Sequence, residues 1–116
     1  MGVIDDFVKL EGGGEEEVRV LKALWSDKIT SISLKDLSPI ETVESERLKF
    51  YLYRGGMGAL LHKPTGLFLL LYALTAVEIE SIKYMVEKGK DPDNVFISVA
   101  YEFINVKGKG RLGKES

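Results

Sequence analysis

The chain has 116 residues, 45% of them hydrophobic and 29% charged, with a formal net charge of −2. That length holds one domain around a single core, and the balance of apolar and charged residues belongs to a chain that folds. Cysteine is absent, which excludes disulfides, thiolate metal sites and cysteine nucleophiles, and the small negative charge gives no global attraction to nucleic acid or to an acidic membrane.

The charges are unevenly placed. Asp5, Asp6, Glu11, Glu15, Glu16 and Glu17 face only Lys9 at the start, whereas Lys107, Lys109, Arg111 and Lys114 face only Glu115 at the end. Glutamine is absent and charge is carried mainly by Lys and Glu, a bias of hyperthermophile proteomes. Asp5 and Asp6 interrupt the opening stretch, unlike a secretory leader, so the expected location is cytoplasmic.

In chain order, Val3, Ile4, Phe7, Val8 and Leu10 recur at helical spacing and predict a short helix over 3–10, ended by Gly12, Gly13 and Gly14. Residues 18–25 fit either a strand or a helix. A strand is favoured because Ser26, Asp27 and Lys28 form a turn signal, after which Thr30, Ile32 and Leu34 alternate with polar residues as in a hairpin partner. Residues 40–46 read as a loop or a weak strand extension. Leu48 to Tyr53 is a clearer strand, rich in aromatics, and Arg54 to Gly58 is a loop before a short strand over 59–63.

Pro64, Thr65 and Gly66 turn the chain into the apolar run Leu67 to Leu74, read as a central strand of an antiparallel meander. Eleven residues separate Leu67 from Val77 inclusive, too few for a membrane-spanning helix, which needs roughly 20. Thr75 and Glu78 have the spacing of a capping box, so a helix starts there, with Val77, Ile79, Ile82, Met85 and Val86 toward the core. Gly89 and Pro92 end it. Residues 95–104 alternate apolar and mixed positions and predict a second long strand. Residues 106–116, rich in glycine and lysine, predict a flexible basic tail on a domain formed by 1–105.

The expected fold is therefore α+β: a mainly antiparallel sheet of five or six strands with two helices. Because two strands, 67–74 and 95–104, are apolar on both faces, association of copies or with a protein partner is expected to cover the surplus.

The candidate chemistry is sparse. Gly108 to Gly113 spells G-x-G-x-x-G and nearly continues into a P-loop, but Glu115 occupies the Ser/Thr position and no helix follows to hold a phosphate. Lys107, Lys109, Arg111 and Lys114 are the candidate nucleic-acid contacts, on a tail that would follow a polyanion through its backbone phosphates. Phe50, Tyr51 and Tyr53, or Phe96, Tyr101 and Phe103, are candidate base-stacking platforms, with core packing as the alternative. Arg54, Gly55 and Gly56 form a single RGG copy, read as a loop. His62 is the only histidine, and the sequence identifies neither a catalytic partner nor companion metal ligands for it. No cofactor is expected. The leading expectation is a non-catalytic interaction or assembly module that self-associates, ahead of an accessory nucleic-acid binder and of a small enzyme with a site near His62.

Overall fold

The computed structural model describes residues 30–116 and Arg19. The helix expected over 3–10 and the glycine joint lie outside the described residues, as does most of 18–25, where Arg19 itself is helical and exposed instead of extended. The described chain is a single α+β domain with a six-stranded sheet and two helices.

The strands are β1 (Thr30–Ile32), β2 (Glu41–Glu44), β3 (Leu48–Tyr53), β4 (Met57–His62), β5 (Leu67–Leu71) and β6 (Gly110–Glu115), in the spatial order β1-β6-β5-β4-β3-β2. Antiparallel pairing runs from β2 through β6, and β1 lies parallel to β6. The expected meander is present as β3-β4-β5. Arg54–Gly56 is the turn between its first two strands, where Gly55 and Gly56 take φ of 76° and 74°.

Strand periodicity assigns each side chain to a face. Leu48 and Phe50 of β3, Leu60 of β4, Leu67, Leu69 and Leu71 of β5 and Leu112 of β6 share the face covered by the helices. Tyr51 and Tyr53, Ala59 and Phe68 form a second buried cluster on the far face with Leu34. Leu34 belongs to a single 3₁₀ turn, not to an extended β1, because the chain must cross there. Residues 33–40 link the two edges of a six-stranded sheet, about 24 Å apart at ordinary strand spacing. The crossing lays Leu34 over the far-face core.

Strand β5 ends at Leu71, three residues short of the apolar run. Ala73 takes a left-handed φ of 54°, and the N–H groups of Tyr72 and Leu74 donate to the carbonyls of Lys109 and Gly56. The apolar run therefore turns out of the sheet into helix α1 (Ala76–Lys88). That helix starts as expected: Thr75 Oγ1 accepts from the Glu78 N–H at 3.1 Å, and the Thr75 N–H donates to Glu78 Oε1 at 2.9 Å. Ile82 and Val86 face the core, but Val77, expected there, is 80% exposed.

Two expectations are corrected. Residues 95–104 are not a strand: Pro92–Val99 is helix α2, continued by a π-helical segment over Ala100–Val106. Asp91 caps it through the Asn94 N–H, and Pro92 occupies the first turn, where its missing N–H costs nothing. Phe96, Ile97, Val99, Ala100, Phe103 and Ile104 are buried, a helical spacing hidden inside the alternating pattern.

The second correction concerns 106–116, which is not a free tail. Its Gly110–Glu115 portion is β6, hydrogen-bonded on both sides within the sheet. Leu112 is 1% exposed in the core. A Cβ at Gly110 would come 2.3 Å from the Leu70 carbonyl oxygen, so glycine there permits the close approach to β5. With β6 inside the sheet and 95–104 helical, the apolar surplus expected of two double-faced strands is not present, and Phe68 on the far side of β5 is fully buried.

A chain ending at Lys109 would lose the strand that joins β1 to β5, and it is expected to show no cooperative thermal transition by circular dichroism. Gly110→Ala should cost about 1–3 kcal/mol in urea unfolding by overpacking. An unchanged thermal transition in the truncated chain would show that this strand is dispensable, and unchanged urea unfolding of Gly110→Ala would show that the close approach to β5 is not tight.

Candidate functional site

Among the described residues, two polar networks and a groove offer features from which a site can be built. The first network surrounds His62, at the end of β4 and fully buried. Its Nε2 lies 2.6 Å from Asp93 Oδ1 and its Nδ1 lies 2.7 Å from Thr65 Oγ1. Because the Asp93 carboxylate only accepts, Nε2 carries the proton and donates, which leaves Nδ1 to accept from the Thr65 hydroxyl. Thr65 Oγ1 in turn accepts from the Leu67 N–H at 3.2 Å.

Asp93 also receives Arg47 in a two-pronged contact, Nε to Oδ1 at 3.1 Å and Nη2 to Oδ2 at 3.3 Å. The ring of His62 packs at a tilt on Phe96, 5.5 Å away. The network thus ties the β2–β3 turn, the β4–β5 turn and the start of α2 into one unit. Burial holds the His62 pKa below its ordinary value, opposed by the hydrogen bond and charge of Asp93 and assisted by the charge of Arg47.

Threonine, histidine and aspartate in this order have the form of a proton relay. Here the ring is enclosed on all sides and its two nitrogens are occupied, so no solute atom reaches it in this arrangement. Among the described residues, no group of three His, Cys, Asp or Glu side chains is placed to hold a metal ion.

The second network centres on Glu78. Besides the capping box, its carboxylate accepts from Lys107 Nζ at 2.7 Å and from Lys109 Nζ at 2.8 Å. Hydrogen bonds from Lys107, then Lys109, then the Thr75 backbone lower its pKa to about 2. Lys107 Nζ also lies 3.7 Å from Glu102 and 4.6 Å from the centre of the Phe103 ring. The helix start therefore anchors the turn that leads into β6.

This placement scatters the four candidate nucleic-acid contacts. Lys107 and Lys109 are engaged by Glu78, whereas Arg111 and Lys114 alternate onto opposite faces of β6. The stacking candidates are also absorbed: Phe50, Phe96 and Phe103 lie in the helix-side core, and Tyr51 and Tyr53 stack on each other at 6.3 Å within the far-face core. Of these, Tyr101 and one side of Phe103 border open space.

That space is a groove of about 500 Å³ between α1 and the α2–π-helical segment. Val77, Ser81 and Met85 form one wall, Ser98, Val99, Tyr101 and Phe103 the other, and Glu78, Glu102 and Lys107 its polar residues. Val77 and Tyr84, 80% and 67% exposed, form a crest along the outer side of α1. Sequence reading missed this surface, because the sheet-like alternation of 95–104 concealed its second wall. The available signal was the spacing of Val77 and Tyr84, two helical turns apart, on the side opposite Ile82 and Val86.

The His62 network has a testable pH signature. With a folded pKa below the unfolded one, the unfolded chain binds more protons as pH falls below about 6.5. Stability from neutral His62 is thus fully present above that pH and is lost as pH drops through the folded value. Urea midpoints at stepped pH should fall on acidification in the wild type, with a shallower fall in His62→Gln. Equal slopes would contradict a buried neutral histidine.

Comparisons with protein-family models, with curated proteins and with solved structures find nothing that matches this chain. The functional reading is therefore built on the chain's own residues.

Proposed function

We propose that this protein is a non-catalytic interaction or assembly module that associates with copies of itself through the outer surface of its helical layer. The observation that carries this reading is the pairing, on one side of the molecule, of a half-open groove with the exposed apolar residues Val77 and Tyr84. Isolated surface hydrophobics are ordinary, but clustered ones beside a concave surface favour a partner.

The alternatives have less support. The β2 edge is a poor docking strand: Glu41 pairs with Lys83, and Glu44 with Lys63 and Lys49, leaving charged side chains along it. Among the described residues the β1 edge is three residues long. An enzyme at His62 would need an entry path to an enclosed ring. Nucleic-acid binding by Lys107, Lys109, Arg111 and Lys114 would need cations released from Glu78 and gathered on one face. Among the described residues no helix is long and apolar enough to cross a membrane.

Sedimentation velocity from micromolar to submillimolar concentration is expected to show a reversible rise in mass that persists in high salt, since the contact is mainly apolar. A monomer at every concentration would overturn the proposal.

A further inference from the structure

We propose that Thr65 is a covalent modification site, an acyl acceptor whose hydroxyl is activated by His62 and Asp93 and takes one acyl group from an ester-type donor. This role is independent of self-association and uses the relay from its outer end. The His62 ring is enclosed, but Thr65 is half-buried in the β4–β5 turn beside exposed Pro64. A donor has to meet Thr65 alone and not the ring.

The turn is built as an activated nucleophile. Thr65 Oγ1 stands 2.7 Å from His62 Nδ1, the unprotonated nitrogen and hence the place where the hydroxyl proton can go. Of the two lone pairs on that oxygen the Leu67 N–H occupies one, at 3.2 Å, and the other is left for attack. The far ring nitrogen donates to Asp93 Oδ1 at 2.6 Å, so an imidazolium formed by proton transfer lies against a carboxylate that Arg47 fixes in place. Nucleophile, base and orienting acid thus stand in line. A cation completes the turn: Lys114 Nζ lies 3.7 Å from where a Cβ on Gly66 would stand. Lys63, inside the turn, is held by Glu44 and by the Ser45 carbonyl, which leaves Lys114 to face the acyl oxygen as it becomes negative.

Transfer takes two steps. Oγ1 bonds to the carbonyl carbon of the donor as its proton passes to Nδ1. The bond from that carbon to the leaving alcohol oxygen then breaks, and the Nδ1 proton departs with the alcohol. A Thr65 ester and a free alcohol result. The enclosed ring admits no water to be activated against the new ester, so each chain reacts once.

The full chain is treated with p-nitrophenyl acetate, and acetyl groups are mapped by mass spectrometry of its peptides, because lysine amines also react with this reagent. Thr65 is expected to gain a single acetyl group, with a burst of p-nitrophenol and no sustained release above the lysine background. Thr65→Ser should keep the reaction and Thr65→Val abolish it. His62→Gln should slow it about a hundredfold, the low end of general-base assistance. Asp93→Asn should slow it comparably, because an amide that donates to Nε2 moves the ring proton onto Nδ1, where it blocks the transfer. In the wild type, Thr65 labelling should fall as acid protonates His62, below about pH 6.5. Melting curves check that each variant folds.

A wild-type chain acetylated on lysines with Thr65 untouched would overturn the proposal whatever the variants do. Equal Thr65 labelling in folded His62→Gln would remove the activation by the relay. Sustained release that depends on Thr65 would overturn the single transfer and make the turn a hydrolytic site.

Discussion

The constraint on which the rest of the fold depends is the seating of the C-terminal strand between β5 and β1. Among the described residues only β6 connects β1 to the sheet, so the first described strand and the last are stabilised together. This is a contact of high sequence separation: Thr30 lies opposite Gly113 and Ser31 opposite Lys114. Its loop-closure entropy is repaid only when most of the chain is already in place. The strand itself contributes little apolar area, chiefly Leu112. Its stability comes from backbone pairing on both sides and from glycine at Gly110, where any side chain would collide with β5. Main-chain hydrogen bonds, individually worth about 1 kcal/mol net, here act collectively because few side chains compete for the space.

This explains which parts of the structure were legible in the sequence. Leu48–Tyr53, the 63–66 turn and the Thr75/Glu78 cap each carry a local signal that the tertiary structure reinforces, and each appears where its residues implied. Gly110–Glu115 carries no local strand signal, since glycine and lysine are poor strand formers; its pairing is imposed by β1 and β5. Residues 95–104 failed for the opposite reason. Their alternation of β-branched and aromatic residues satisfied period two, while their burial followed the helix, and the deciding information lay upstream in the Asp91 cap and Pro92. The same two errors hid the site. A helix read as a strand removes one wall of the groove, and a strand read as a mobile tail turns paired lysines into free ones.

The two polar networks divide the work of closing the structure. His62, Asp93, Arg47 and Thr65 fasten the start of α2 to the two turns at one end of the sheet, and burial of the ring makes their geometry exclusive. Glu78, Lys107 and Lys109 fasten the start of α1 to the turn entering β6 and stay nearer the solvent. The first network couples folding to protons near neutrality. The second does so only in strong acid, since Glu78 keeps its charge until pH falls toward about 2 and the contribution present above the ordinary carboxylate range is lost from there downward. Both hold helix ends, so the middles of the helices are left to determine what the outer surface presents.

That surface takes its form from the π-helical segment. The Lys107 N–H donates to the Glu102 carbonyl five residues back, at 3.0 Å, which widens the last turns after α2. In an ordinary α-helix, side chains three and four residues apart would form a continuous ridge able to pack into the neighbouring helix. The wider turn breaks that ridge. Phe103 and Ile104 still reach the core, while Tyr101 and Glu102 are set along the groove instead of filling it. Such segments are uncommon and occur frequently at functional sites. Here the physical consequence is direct: α1 and α2 share a core below but do not close above. The space between them is thus a product of helix geometry, and Ser81 and Ser98, too short to bridge it, keep it open.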